Sequence, residues 1–538
     1  MKTIYLYLLS VLSGLLLAYA WFPTGLAPLL FIALVPLLMV EQVIFHHENN
    51  YKTLTLFGCG FLTFLIWNVI TTYWIKNASM GGAVMAIVSN TLLMTIVFLL
   101  FHKVKKRVGE KWGSVIFICF WMTFEFMHLR WDLSWPWLIL GNGFANDINR
   151  IQWYEYTGVF GGSLWILLIN CLIVSAFLNT ESSGKNRKRI VISVIALLAV
   201  PAIISFLLKV KYNDTNSLSD KKAYKKVVVV QPNIDPYNVK FIYGYQGQLQ
   251  KMLQLAVERV DTTTDYLLFP ETALTEGIRE DALSQSSSLD MLKHFIKQFP
   301  KLKLIIGADT RKAYGFGETP SLTARKFSDT NAYYEEYNTA LQLDSNKQIQ
   351  IYHKSKLVPG VEKMPFPFLF KYFEKYALEL GGTAGSLGVQ EERTVFTSSD
   401  SSSSTAPVIC YESIYGEYVS EYITNGAQFI SIITNDGWWG DTPGYKQHLQ
   451  YGALRAIETR RWVARSANTG ISCFINPLGE ILQPTDWWVT AVITQKIQMK
   501  SEITFYSRFG DYIARAAMYI SLLLIIYSWL IRFRIIKK

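Results

Sequence analysis

Two patterns of hydrophobic and polar positions divide this chain of 538 residues. Through residue 210, long apolar runs follow one another, each about as long as a helix that crosses a bilayer. Between residues 225 and 500 the apolar runs are short and alternate with polar positions, as in a water-soluble α/β domain. A last apolar run follows. These patterns predict a membrane bundle at 1–210, a globular domain at 225–500 and a final span at 512–531.

The apolar runs predict eight membrane-spanning helices. Their approximate bounds are 4–20, 26–44, 54–75, 82–101, 113–128, 158–178, 190–208 and 512–531. The fifth is short and contains Glu125, and a carboxylate at membrane depth is costly unless it has a partner or a function. Arg130 is the expected partner, and both residues are candidates for substrate contact.

The formal net charge of +11 is concentrated beside the apolar runs. Three basic blocks hold much of the excess: Lys103, Lys105, Lys106, Arg107 and Lys111; Lys185, Arg187, Lys188 and Arg189; and Arg532, Arg534, Lys537 and Lys538. Such blocks flank spans on the cytoplasmic side, so they indicate topology and do not favour a nucleic-acid partner. With Lys2 inside, seven crossings place the globular domain outside the cytoplasm. In an alternative interpretation residues 1–20 are a cleaved signal peptide, and the globular domain still lies outside the cytoplasm.

The five cysteines do not suggest a disulfide framework. Only Cys410 and Cys473 lie in the globular domain, and no CxxC or Cys/His cluster indicates zinc. We therefore expect neither a metal nor a cofactor.

Short β-type runs alternate with helical segments in the globular domain, which predicts a mixed sheet layered with helices. The expected strands are Val227–Gln231, Tyr266–Phe269, Leu302–Ala308, Tyr337–Leu343, Ile349–His353, Val408–Cys410, Phe429–Thr434, Ile471–Asn476 and Glu480–Leu482. A helix is expected at Gln246–Val260. Loops are expected at 312–330 and at the serine-rich Thr397–Thr405.

Three chemically useful residues follow predicted strands. Glu271 comes after Leu268-Phe269-Pro270, Lys354 or Lys356 follows one hairpin strand, and Cys410 closes another strand. Singly, each has an ordinary explanation: a solvated carboxylate, a surface lysine or a core cysteine. Together they can supply a base, an oxyanion-stabilising cation and a nucleophile along one sheet edge. A helix starting near Glu412 would also lower the pKa of the Cys410 thiol.

In order and local context these motifs resemble the Glu–Lys–Cys triad of the nitrilase (carbon–nitrogen hydrolase) superfamily. With its apolar bundle and final span, the whole chain is similar to the apolipoprotein N-acyltransferase family. The stretches that carry the resemblance are Val230-Gln231-Pro232-Asn233-Ile234, Phe269-Pro270-Glu271-Thr272, Tyr352-His353-Lys354, Leu357-Val358-Pro359, Ile409-Cys410-Tyr411-Glu412, Thr434-Asn435-Asp436-Gly437-Trp438, Arg455-Ala456-Ile457-Glu458, Arg465-Ser466-Ala467-Asn468-Thr469-Gly470 and Tyr506-Ser507-Arg508-Phe509-Gly510-Asp511.

The resemblance implies a four-layer α-β-β-α sandwich and a role for each matching residue. Glu271 would be the general base, Lys354 rather than Lys356 the oxyanion stabiliser, and Cys410 the nucleophile. Supporting roles are implied for Glu362, Tyr411 and Glu412. Where the family often has a tryptophan after Gln-Pro-Asn-Ile, this chain has Phe241, with the spacing one residue longer. The candidate lipid-contacting aromatic residues are Phe241, Phe366, Phe368, Trp438 and Trp439.

The implied reaction moves an acyl chain from a membrane phospholipid, through a cysteine thioester, to the α-amine of the N-terminal diacylglyceryl-cysteine of an apolipoprotein. The implied location is the bacterial inner membrane, with the catalytic domain on the extracytoplasmic side. One alternative is a membrane-anchored nitrilase-like amidase, which would cleave C–N bonds with the same triad. Another is a non-enzymatic lipid transporter or scaffold, which would form no covalent acyl adduct.

Overall fold

The computed structural model describes residues 2–21, 23–47, 51–178, 184–217, 223–240, 244–315, 317–327, 330–345, 347–366 and 386–533. The chain forms two compact units. The first comprises Met1–Lys76, Gly81–Thr215 and Phe509–Lys538, and the second comprises Asn77–Met80 and Asn216–Arg508.

The first unit is a bundle of α-helices. Its helices are α1 (Thr3–Ala20), α2 (Leu30–Ala33), α3 (Val35–His46), α4 (Thr53–Thr72), α5 (Met80–Val108), α6 (Gly113–Met127), α7 (Tyr154–Leu178), α8 (Gly184–Ser217) and a C-terminal helix, Tyr512–Arg532. Within the described residues, seven helical segments are long and apolar enough to cross a membrane. Each coincides with one of the eight predicted spans. The remaining one, the predicted fifth span, is α6, a buried helix of 15 residues, shorter than the ~20 residues of a typical crossing.

The expected pairing of Glu125 with Arg130 is wrong. The Glu125 carboxylate accepts hydrogen bonds from Trp121 Nε1 at 3.0 Å, the Leu140 N–H at 2.8 Å and Ser163 Oγ at 2.7 Å. Arg130 instead lies 3.5 Å from Asp511 and stacks on the ring of Phe126. Neutral donors from α6, α7 and the intervening loop therefore satisfy this buried carboxylate.

The second unit contains two β-sheets. The first sheet has eight strands: β1 (Tyr224–Gln231), β2 (Tyr266–Leu268), β3 (Leu274–Arg279), β4 (Lys303–Ala313), β5 (Arg325–Lys326), β6 (Tyr333–Asp344), β7 (Lys347–His353) and β14 (Ala491–Gln498). The second has six: β8 (Phe396–Thr397), β9 (Ser404–Ile409), β10 (Phe429–Thr434), β11 (Val463–Ala467), β12 (Cys473–Ile475) and β13 (Ile481–Leu482). In the first sheet β1, β2 and β4 run parallel; in the second, so do β9, β10 and β11.

The two sheets pack face to face, each covered by helices on its outer side. The helices of this unit are α9 (Tyr245–Val257), α10 (Ser287–Ile296), α11 (Gly416–Thr424), α12 (Pro443–Thr459) and α13 (Phe505–Phe509). Leu249 of α9 and Leu292 of α10 share an apolar core with Val228 and Leu267 of the first sheet. The ring of Tyr266, on the opposite face, lies 5.0 Å from that of Phe429 in the second sheet. This is the four-layer α-β-β-α sandwich that the family resemblance implies, with two sheets where the residue pattern alone predicted one.

Some local predictions differ from the structure. The serine-rich segment is not a loop throughout, because β8 and β9 pair antiparallel with Phe396 opposite Thr405. Asp344 fixes the intervening turn by accepting hydrogen bonds from the Ser399 N–H and hydroxyl. The pattern also missed β14, which pairs antiparallel with all eight residues of β1. Its polar and apolar positions give little contrast, since its residues are mostly half-buried.

Candidate active site

The turn that carries Glu271 leaves the first sheet directly after β2. Thr272 adopts a left-handed conformation, with φ of 46°, which is strained for a β-branched residue. Gly307 of the neighbouring strand β4 allows the close approach: a Cβ there would lie 2.6 Å from the Glu271 Cα and 2.4 Å from the Thr272 nitrogen. The Gly307 N–H also donates to the Pro270 carbonyl at 3.1 Å. The fold therefore presses this turn against β4 and fixes where Glu271 points.

Lys354 follows β7 and forms a buried ion pair with two carboxylates. Its Nζ lies 2.9 Å from Oε1 of Glu271 and 2.8 Å from Oε1 of Glu362. Asn338 of β6 donates from Nδ2 to the same two oxygens, at 2.8 Å and 3.1 Å. Sequence analysis missed Asn338, since an asparagine within a strand carries no motif of its own. The arrangement places Glu271, Lys354 and Glu362 together.

The charges of this cluster set its protonation states. Burial would raise the pKa of Glu271, but Lys354, Asn338 and Lys240 outweigh it, so this pKa lies below its ordinary value. Burial would lower the pKa of Lys354, but the two carboxylates and Cys410 hold it well above the ordinary value. Glu271 is therefore ionised and Lys354 is a cation at neutral pH.

Cys410 occupies the bend immediately after β9. Its φ is 49°, a strained left-handed conformation of the kind that holds nucleophiles on sharp turns. It is followed by a five-residue 3₁₀ helix, Cys410–Ile414. The residue is buried, with 7% of its surface exposed. Burial, and then the charges of Glu271 and Lys354, act on the pKa of its thiol.

The expectation that this thiol has a lowered pKa is wrong. Burial, then the Glu271 carboxylate, raise the pKa of Cys410 well above its ordinary value, and Lys354 offsets only part of this rise. A five-residue 3₁₀ turn also offers less dipole than the α-helix expected from the sequence. The resting thiol is therefore protonated and needs a nearby base when it attacks.

Glu412 links the segments that carry Lys354 and Cys410. Its carboxylate accepts from the N–H of Ser355, next to Lys354, at 2.7 Å, and from the N–H of Ile409, next to Cys410, at 2.9 Å. The hydroxyls of Tyr352 and Tyr418 also donate to it, at 2.8 Å and 2.5 Å. One buried side chain thus fixes the spacing between the two sheets at this edge.

A second polar network lies behind the cysteine and was not assigned a role from the sequence. Thr434 Oγ1 lies 3.2 Å from Cys410 Sγ and 2.7 Å from Asp436 Oδ1. Asp436 also pairs with His448 at 2.9 Å and with Arg465 at 2.6 Å. His448 Nε2 in turn lies 3.1 Å from the Cys410 carbonyl oxygen. This network supports the strained bend from inside the second sheet.

Ligand atoms of Cys410, Asp436 and His448 lie within 4.8 Å of one another, close enough to hold a metal ion. The guanidinium of Arg465 already neutralises Asp436, however. Burial would raise the pKa of Asp436, but Arg465 and His448 outweigh it and hold it well below its ordinary value. A fixed cation at this position opposes the binding of another.

The other residues predicted for the site, Tyr411 and the candidate lipid-contacting aromatic residues, do not form a single cluster. Tyr411 is buried beside the cysteine, with its ring 5.5 Å from that of Tyr415. The ring of Trp438 lies 5.3 Å from that of Tyr237, and the ring of Trp439 lies 5.4 Å from the His448 ring. Phe366 is half-buried with φ of 50°. Phe241 and Phe368 lie outside the described residues.

Comparison with known proteins agrees with this architecture. The carbon-nitrogen hydrolase family model matches residues 226–505, and the model of the apolipoprotein N-acyltransferase N-terminal domain matches residues 13–172. The fold and the site thus define a membrane protein with a carbon-nitrogen hydrolase domain.

Relatives match nearly the whole chain. The apolipoprotein N-acyltransferase of Chlorobaculum tepidum is 30% identical over 526 residues, which cover 95% of this chain and 94% of that protein. Those of Geobacter metallireducens and Haemophilus influenzae are 26% and 25% identical, again over 95% of this chain, and cover 93% and 92% of their own lengths. The chain belongs to the apolipoprotein N-acyltransferase family.

Proposed function

We propose that this bacterial membrane acyltransferase moves an acyl chain from a phospholipid, through a thioester on Cys410, to the α-amine of an N-terminal diacylglyceryl-cysteine on an apolipoprotein. Family membership supports the acyl transfer and the lipoprotein acceptor. The observation that carries the proposed route is the grouping of Glu271, Lys354 and Cys410. Lys354 and Glu271 form an ion pair at 2.9 Å, and the charges of both groups act on the Cys410 thiol, which supports this route.

In the first half-reaction the Cys410 sulfur attacks the carbonyl carbon of a phospholipid ester. Glu271 takes the thiol proton as the C–S bond forms. The ammonium of Lys354, with the backbone N–H of Tyr411 or a neighbour, stabilises the oxyanion. Collapse of the intermediate breaks the ester C–O bond, and the leaving alkoxide takes the proton back from Glu271. The products are a lysophospholipid and an acyl-Cys410 thioester.

In the second half-reaction the neutral α-amine of the acceptor attacks the thioester carbonyl. Glu271 removes a proton from the nitrogen, and Lys354 again stabilises the oxyanion. The C–S bond then breaks, an amide remains, and the departing Cys410 sulfur recovers the proton. The enzyme returns to its starting state, which makes the reaction ping-pong.

The position of a short loop supports an extracytoplasmic catalytic domain. Asn77–Met80, between the third and fourth apolar segments, belongs to the same compact unit as the catalytic domain, and Asn77 Nδ2 donates to the Trp439 carbonyl at 2.8 Å. With the N-terminus in the cytoplasm, three crossings bring this loop to the outer side. An even number of crossings must then separate Met80 from residue 216, so α6 must cross the membrane along with α5, α7 and α8.

Incubation of the purified full chain with phospholipid and a diacylated cysteinyl peptide tests this function. We expect one lysophospholipid for each N-acylated peptide. An amidase would instead release ammonia or an amine from amide substrates and leave phospholipid intact. A transporter or scaffold would change neither substrate.

A further inference from the structure

A second buried lysine lies beside the proposed base. Lys240 is 3% exposed, and its Nζ donates to the Glu271 backbone carbonyl at 3.2 Å and to the Thr272 hydroxyl. Its own backbone is fixed as well. The Lys240 N–H donates to the Asp235 carbonyl at 2.9 Å, and its carbonyl accepts from Gln248 Nε2 of α9 at 3.0 Å. Both ends of Lys240 are thus anchored around the Glu271 turn.

The contacts of Lys240 fall on the strained part of that turn. Thr272 has φ of 46°, and such a conformation persists only where neighbouring groups hold it in place. β4 presses on the turn from one side, through Gly307. The Lys240 ammonium binds the carbonyl before Thr272 and the Thr272 hydroxyl itself. It therefore stabilises the conformation that aims the Glu271 side chain.

The charge of Lys240 also acts on the site. The titratable groups that face it are Asp309 of β4, Glu271 and Cys410, and all three favour its charged form. Burial nevertheless outweighs them and lowers the pKa of Lys240 to about 8. In return, Lys240 is one of the groups that lower the pKa of Glu271. The protein thus keeps a second cation near the base, one that is charged at neutral pH and loses its charge in mildly alkaline solution.

We infer that Lys240 is a positioning residue for acyl transfer, which holds the Glu271–Thr272 turn and keeps the Glu271 carboxylate ionised while Cys410 is acylated. The inference rests on the proposed role of Glu271 as the base. The two buried lysines then have different roles: Lys354 contacts the reacting oxyanion, whereas Lys240 acts through Glu271.

The pH profile of acyl-thioester formation tests this role in the full chain with phospholipid as substrate. The base must be ionised, so the rate falls as the pH drops through the pKa of Glu271. In Lys240→Met we expect a slower reaction. We also expect its acid limb, which is the fall in rate at low pH, to shift to higher pH by about one unit. Lys240→Arg, which keeps a cation at this position, should keep the wild-type fall in rate at low pH.

Thr272→Val separates the two parts of the role, because it removes the hydroxyl acceptor and leaves both charges in place. We expect a lower maximal rate with an unmoved acid limb. Lys251→Met, which removes an exposed lysine of α9, should match wild type throughout. If Lys240→Met does not fold, Lys240→Arg and Thr272→Val still decide the question.

A wild-type pH profile in Lys240→Met, or a low-pH fall in rate that moves as far in Lys240→Arg as in Lys240→Met, would overturn the inference. A wild-type rate in Thr272→Val would remove the positioning part. Glu271→Gln distinguishes failure of the proposed function from failure of the role of Lys240 alone. If it still forms the thioester at the wild-type rate, Glu271 is not the base and the proposed function fails; if it is inactive while Lys240→Met is unchanged, only the role of Lys240 fails.

Discussion

Lys354 binds only one of the two carboxylate oxygens of Glu271, Oε1, at 2.9 Å. Asn338 donates to that same oxygen. Within the described part of the chain, the other oxygen, Oε2, accepts no hydrogen bond. Hydrogen bonds thus hold Oε1 of Glu271, while Oε2 can accept a proton. A base that must accept and return the Cys410 proton in each half-reaction needs this division.

The two lysines of the Lys354-Ser355-Lys356 segment should behave differently. Lys354 is buried with Glu271 and Glu362, whereas the ammonium of Lys356 lies over the rings of Tyr415 and Tyr418, 5.1 Å and 5.6 Å from their centres. Lys354→Ala should reduce acyl-transfer kcat by about 10²-fold or more, because it removes the ammonium group that stabilises the oxyanion. Lys356→Ala is the matched control and should retain most activity. Equal losses in the two variants would contradict the assignment.

Removal of the Asn338 amide should shift the pH dependence of the reaction. Its hydrogen bond helps to keep the pKa of Glu271 below the ordinary value, so Asn338→Ala should raise that pKa. A hydrogen bond to a charged group contributes about 1.5 kcal/mol, which corresponds to roughly one pH unit. The acid limb of thioester formation should therefore move to higher pH by about that amount. An unmoved limb would show that Asn338 does not tune the base.

Glu412 should matter for stability as well as for activity. Its replacement by alanine leaves the buried hydroxyls of Tyr352 and Tyr418 and the N–H groups of Ser355 and Ile409 without their acceptor. We expect the free energy of unfolding to fall by at least about 3 kcal/mol. Thermal unfolding of the detergent-solubilised full chain should show a lower Tm. A wild-type Tm would mean that other groups replace these hydrogen bonds.

The proposed topology can be tested with single cysteines and a membrane-impermeant maleimide. Leu322 is 90% exposed in the catalytic domain, and Arg187 is exposed near the start of α8. All five native cysteines are buried. In spheroplasts, Leu322→Cys should be labelled and Arg187→Cys protected until the membrane is opened. The reverse pattern would place the catalytic domain in the cytoplasm.

Sequence patterns predicted the parts of this molecule that depend on composition and periodicity. Apolar length located the long membrane helices, and strand ends located Glu271 and Cys410. The expectation that these residues share one edge of a single sheet is wrong, because β2, which precedes Glu271, belongs to the first sheet and β9, which precedes Cys410, belongs to the second. The choice of Lys354 over Lys356 needed the family resemblance, since both follow the same strand.

Features that depend on tertiary contacts could not be predicted in this way. The partners of Glu125 come from two helices and a loop, and the nearest cation in sequence was the wrong choice. The pKa of Cys410 is set by burial and by the charges of Glu271, Lys354 and Asp436, all of which are distant from it in the chain. Asn338 and Lys240 show their roles only once β6 and the Glu271 turn lie side by side.

The acyl-enzyme can be detected by the mass of the peptide that contains Cys410, measured after the purified full chain is incubated with phospholipid. We predict one added acyl chain, cleavable by hydroxylamine as a thioester, absent from Cys410→Ala and present in the control Cys473→Ala. The adduct should disappear when a diacylated cysteinyl peptide is added, as that peptide becomes N-acylated. Wild-type acyl transfer by Cys410→Ala, or transfer by the wild-type chain without this adduct, would show that Cys410 does not carry the acyl chain.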